Sequence, residues 1–150
     1  MNAASSGNKK KILVIDDESS IVTYLTTVLE DGGYETCFAT NAEAGLSLAR
    51  EQRPDVITLD IMMPRRSGVA LYQELKIDPE LRDIPVVFVS AFSRSSGFGP
   101  ASFRKLVPDE RIPIPGVYLE KPVAVPEFLR AVASLLESAE TASGPREGGA

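Results

Sequence analysis

The chain contains no histidine. That absence excludes Ser/His and Cys/His catalytic pairs and every histidine-ligated metal site, so any acid chemistry here is carboxylate chemistry. Cysteine is nearly absent as well. Cys37 stands alone, which rules out an intrachain disulfide. Within the strand-like stretch Tyr34-Glu35-Thr36-Cys37-Phe38-Ala39 it reads as a small buried hydrophobe rather than a redox thiol. No apolar run exceeds strand length and nothing resembles a signal peptide, so membrane insertion is not expected and the default location is cytoplasmic. A basic excess is also lacking. With 16 Lys and Arg against 21 Asp and Glu, the net charge of −5 argues against direct nucleic-acid binding or attraction to an anionic membrane. A protein partner or a small phosphorylated donor fits that balance better.

What is present is the pattern of one domain, since 150 residues bury one sizeable core but not two. Residues 1–8 and 139–150 are rich in Gly, Ser and Ala and are expected to form a disordered leader and tail around a domain spanning 9–138. Within it, strand-like runs at 11–15, 35–39, 55–59, 85–90 and 117–119 alternate with helical patterns. Ile21, Val22, Leu25, Val28 and Leu29 mark one helix face that stops at Gly32-Gly33. Asn41 reads as the N-cap of a helix carrying Ala44, Leu46, Leu48 and Ala49. A third helix covers 68–76 with Val69, Leu71, Tyr72 and Leu75, and a last one opens at Pro126 with Phe128, Leu129, Val132, Leu135 and Leu136 on one side. Apolar strands alternating with helices predict an α/β fold with an open five-stranded parallel sheet covered on both faces.

Polar residues then gather where the strands end. The apolar run Val56-Ile57-Thr58-Leu59 closes on Asp60, and Lys11-Ile12-Leu13-Val14-Ile15 closes on Asp16-Asp17-Glu18. A carboxylate at the carboxyl mouth of a buried strand is costly unless it is used. Parallel neighbours bring three or four carboxylates to one edge, where their repulsion calls for a hard divalent cation such as Mg2+. Ser90 ends the fourth strand, and Lys121-Pro122 follows the fifth. A lone Lys near acids is usually a surface ion pair; five such residues on one edge are not a coincidence of solvated side chains.

These residues resemble the receiver domain of two-component response regulators. The resemblance runs from about Lys10 to Glu137 and rests on Asp16-Asp17, on Asp60 with Pro64 and Gly68 after it, and on Ser90-Ala91, Tyr118 and Lys121-Pro122. It implies a CheY-like, flavodoxin-like (βα)5 fold of strand order 2-1-3-4-5. It further implies a phosphoryl group received on Asp60 from a sensor histidine kinase or a histidine phosphotransfer protein. Asp60 is then the nucleophile. Asp16, Asp17, Asp60 and the Met62 backbone carbonyl are the implied Mg2+ ligands, Lys121 and Ser90 stabilise the transferring group, and Ser90 and Tyr118 form the switch. A cis bond before Pro122 is implied as well. Met62 and Phe92, each two positions beyond an active residue, are expected to hinder hydrolytic water and give a slowly decaying phosphoryl state. The protein is thus read as a signalling switch taking part in its own phosphoryl transfer, not as an enzyme. No output domain is read after the last helix, so the signal is expected to pass to a downstream protein target.

The connection from the fourth to the fifth strand departs from the family by being irregular and extended. Only 101–106 looks helical there. Phe98, Phe103, Ile112 and Ile114 are expected to fold onto the body rather than form a binding patch, and Arg65-Arg66 to be a solvated pair. Two other readings compete. A degenerate receiver would act as a phosphorylation-independent interaction scaffold. A Mg2+-dependent Asp-nucleophile phosphohydrolase would need an acid/base carboxylate where Met62 stands.

Overall fold

Strands without a polar face must be covered on both sides, and the computed structural model, which describes residues 9–63, 67–90 and 100–149, achieves this with five helices. The strands are β1 (Lys11–Ile15), β2 (Glu35–Ala39), β3 (Val56–Leu59), β4 (Val86–Ser90) and β5 (Tyr118–Glu120). The helices are α1 (Ser19–Asp31), α2 (Ala42–Gln52), α3 (Gly68–Ile77), α4 (Pro100–Leu106) and α5 (Val125–Gly149). All neighbouring strands run parallel in the order β2-β1-β3-β4-β5, the flavodoxin-like arrangement that the family resemblance implies.

The period of two along each strand divides the core. Leu13, Ile15, Ile57, Leu59, Val86 and Phe88 face the layer that holds α2, α3 and α4. Ile12, Val14, Val56, Val87, Val89 and Leu119 face α1 and α5, meeting Val22, Leu25, Leu29, Phe128 and Val132. Burying each such side chain contributes about 1.5–3 kcal/mol, which is why the stripes predicted for α1, α3 and α5 are the faces that pack; on α2 the buried face is Ala42, Gly45 and Ala49, with Ala44, Leu46 and Leu48 only partly buried against it. Local signals set the helix ends. The Asn41 side chain accepts a hydrogen bond from the Ala44 N–H at 2.8 Å, and α1 closes at Gly32 before Gly33 adopts a φ of +96°.

Several boundaries differ from the sequence reading by one residue: β3 begins at Val56, β4 begins at Val86 and α3 ends at Ile77. β5 is displaced by one residue to Tyr118–Glu120, because pairing with β4 matches Phe88 to Tyr118 and Ser90 to Glu120, giving the exposed Glu120 a backbone partner. The last helix runs to Gly149. Among the residues of α5 whose burial is described, Leu136 is the last buried one.

After α4 the chain is irregular to β5, yet it is pinned. Phe103, Val107 and Ile112 are buried in the main core, while Ile114 is 38% exposed. Arg104 donates to the carbonyls of Val107, Asp109 and Ile112 at 3.0, 2.7 and 2.9 Å. The Tyr72 hydroxyl donates to the Pro113 carbonyl at 2.8 Å. Pro64, Arg65, Arg66, Ala91, Phe92, Phe98 and the 1–8 leader lie outside the described residues. Among the described residues no helix is long and apolar enough to cross a membrane.

Candidate functional site

Register brings the acids together. β1 and β3 pair Ile15 with Leu59, and the ladder runs one step further, the Asp60 N–H donating to the Ile15 carbonyl at 3.0 Å. On the other side of β1 the Asp16 N–H donates to the Ala39 carbonyl at 3.1 Å. Both aspartates are therefore held by sheet backbone at the carboxyl edge, and both are buried, Asp16 1% and Asp60 3% exposed. One oxygen each of Asp16, Asp17 and Asp60 lies within 4.8 Å of the others, Asp17 being the member turned most to solvent.

Lys121 reaches into this group from the far side of the sheet. Its Nζ is 2.9 Å from Asp16 Oδ2, 3.0 Å from Glu18 Oε1 and 3.7 Å from Asp60 Oδ2. Burial works against the ammonium, but hydrogen bonds to Asp16 and Glu18 and the charges of Asp16 and Asp60 outweigh it and raise its pKa. Asp60 is pushed up to about 7, first by burial and then by the neighbouring Asp16 charge; Lys121 and the Met62 N–H, which donates to Oδ1 at 3.2 Å, pull the other way. One ammonium thus does not compensate two buried carboxylates side by side.

This donor set suits a hard divalent ion. All its side-chain ligand atoms are carboxylate oxygens, and the repulsion that raises Asp60 is relieved by added positive charge. Soft-metal ligation has no counterpart here, since the chain's lone cysteine, Cys37, is half-buried on β2 with its thiol pushed up by burial.

Ser90 and Met62 fall at the same edge. Ser90 is placed by its backbone as the last residue of β4, beside Glu120. Tyr118 begins β5 and stacks on Phe88 with ring centroids 5.7 Å apart; burial raises its hydroxyl pKa. The Lys121-Pro122 bond is cis. Met62 is 57% exposed beside Asp60, and Phe92 lies outside the described residues.

Three contributors went unassigned in the sequence. Gly68 opens α3 with its N–H on the Ile61 carbonyl at 2.8 Å, and a Cβ there would come within 2.0 Å of the Asp60 carbonyl oxygen. The backbone carrying the central acid can approach α3 only because that position is glycine. Tyr24 of α1 donates to the Val123 carbonyl at 2.9 Å, fixing the turn that presents Lys121. Glu18 holds the lysine directly. The Asp-Asp-Glu run signals Glu18, whereas nothing local signals Tyr24.

The family described as response regulator receiver domain matches residues 12–99. The polar-differentiation response regulator DivK of Brucella anthropi is 40% identical over 114 residues, covering 75% of this chain and 84% of that protein. The protein of the same name from Brucella ovis is 38% identical over 114 residues, with the same 75% and 84% coverage. Among solved structures, a CheY-like receiver domain protein from Methanospirillum hungatei superposes with a TM-score of 0.74 at 23% identity, covering 91% of this chain and 100% of its own. A receiver domain protein from Clostridium thermocellum has a TM-score of 0.70 at 30% identity, with 88% and 98% covered.

Proposed function

Because the chain belongs to the response regulator receiver domain family, we propose that Asp60 accepts a phosphoryl group in a Mg2+-dependent reaction and that the modified protein signals through a partner. The observation that carries this reading is the pair of buried carboxylates, Asp16 and Asp60, sharing one ammonium at the sheet edge. The donor is a phosphohistidine of a sensor kinase or phosphotransfer protein, or a small acyl phosphate. An Asp60 carboxylate oxygen attacks phosphorus, the new O–P bond forms as the donor's P–N or P–O bond breaks, and the leaving imidazole or carboxylate departs with the bonding pair. Asp16, Asp17 and Asp60, with the Met62 carbonyl, would hold the metal, which when bound would supply charge neutralisation for the transfer.

The chain's own groups do the rest. Lys121 contributes a fixed positive charge, and because its pKa is raised it stays protonated through the working range. The Ser90 hydroxyl is the neutral donor to the transferring group. Its displacement toward the phosphoryl oxygens makes room for Tyr118 to turn inward, so a charge event becomes a surface change around α4 and β5. Met62 and Phe92 shield the acyl phosphate from water, giving a slow decay. The partners are proteins rather than nucleic acid or membrane, in keeping with the net charge of −5.

Intact mass after incubation with Mg2+ and acetyl phosphate tests this. A phosphoryl adduct on the native chain, absent in Asp60→Ala and in chelator, is the expected result. A native chain that takes no adduct under saturating Mg2+ is a scaffold instead. A decay half-life of only seconds removes the shielding role of Met62 and Phe92.

A further inference from the structure

Of the carboxylates on Lys121, one has no part in the acceptor chemistry. Glu18 Oε1 lies 3.0 Å from Nζ, about as close as Asp16 at 2.9 Å, and closer than Asp60 at 3.7 Å. Its side chain is 58% exposed, whereas that of Lys121 is 12% exposed. The Glu18 backbone is fixed at both ends. Its N–H donates to Asp16 Oδ1 at 3.0 Å, and its carbonyl accepts from the Ile21 and Val22 N–H groups, both at 3.0 Å, in the first turn of α1. The carboxylate therefore works from a rigid base on a lysine 103 residues away. Since a phosphoryl group on Asp60 needs that ammonium, whatever holds it on Glu18 opposes the transfer.

We propose that Glu18 is a positioning residue that tethers the Lys121 ammonium in its resting place and so limits the rate at which Asp60 is phosphorylated. The inference rests on the reading of Asp60 as acceptor. Removing the tether leaves the ammonium freer to move onto the incoming group, by an amount comparable to a partly exposed ion pair. Glu18 is exposed and makes its other contacts through the backbone, so Glu18→Gln retains the fold.

A double-mutant cycle tests it. Initial labelling rates with acetyl phosphate and Mg2+ are read by intact mass for the native chain, Glu18→Gln, Lys121→Met and the double variant. Glu18→Gln is expected to label about two- to fivefold faster, and to change nothing in the Lys121→Met background. An unchanged or slower rate overturns the tether. So does an equal acceleration without the lysine, which would mean that Glu18 acts by repelling the anionic donor. If the native chain takes no phosphoryl group, the acceptor reading fails by itself. The tether is then judged from the Lys121 Cε and Nζ NMR signals without donor: Glu18→Gln should shift them, and unshifted signals overturn it.

Discussion

Asp60 carries the sharpest consequence at the residue scale. Its carboxyl is raised from the ordinary 3.8 to about 7 by burial, then by Asp16. A raised acid binds its proton more tightly in the folded chain than in the unfolded one. Its contribution to stability is therefore full below about pH 4 and is lost as the pH rises through about 7. In metal-free buffer, Asp60→Asn should be more stable than the native chain at pH 8 by about 1–3 kcal/mol, with the gap closing toward pH 4. Urea midpoints across that range decide it; a gap that widens on acidification contradicts the assignment. The position of Asp60 was legible in the sequence, as an acid ending an apolar run. Its shifted ionisation was not, because burial and the approach of Asp16 exist only once β1 and β3 pair.

At the scale of elements, the connection from α4 to β5 is the least regular part of the described chain and is held by a few long-reaching groups. Arg104 binds three carbonyls, and Tyr72 reaches from α3 to the Pro113 carbonyl while its ring packs edge-on against Phe103 at 5.6 Å. Arg104→Met keeps the stem but leaves three carbonyls without their charged donor. It is expected to cost about 1–3 kcal/mol and to speed amide exchange across residues 107–116 while Asp60 still labels. Unchanged exchange there would show that Phe103 and Ile112 suffice to hold the segment. The sequence displayed this region as Gly/Pro-rich loop with four scattered hydrophobes. That Phe103 and Ile112 enter the main core and Ile114 does not follows from how the segment packs against Tyr72 of α3, which no local period encodes.

For the whole molecule, a cation held by these acids would act as a fold-stabilising ligand. The acids converge only in the native chain, so an ion bound there stabilises that state by mass action. Mg2+ at about ten times its dissociation constant adds about 1.4 kcal/mol, a rise in Tm of about 3–5 °C for a domain of this size. The rise should be larger at pH 8 than at pH 5.5, since protons compete for a carboxyl raised to about 7, and chelator should reverse it. Thermal scans at both pH values check this, and a larger rise at the acidic pH would place the ion elsewhere.

Read alone, the sequence determined the elements and the inventory. Strand and helix periods, the Asn41 cap, the Gly32-Gly33 stop and the acids at strand ends are set by neighbours within a few residues. The tertiary structure decided which of these groups act on one another. It put Asp16 beside Asp60 through the β1–β3 register, seated Lys121 on Glu18 across the sheet, and made Gly68 obligatory through its approach to the Asp60 backbone. It also moved β5 by one residue through its pairing with β4. Interactions between distant residues depend on parallel pairing and layer packing, and these are properties of the assembled sheet rather than of any stretch of chain.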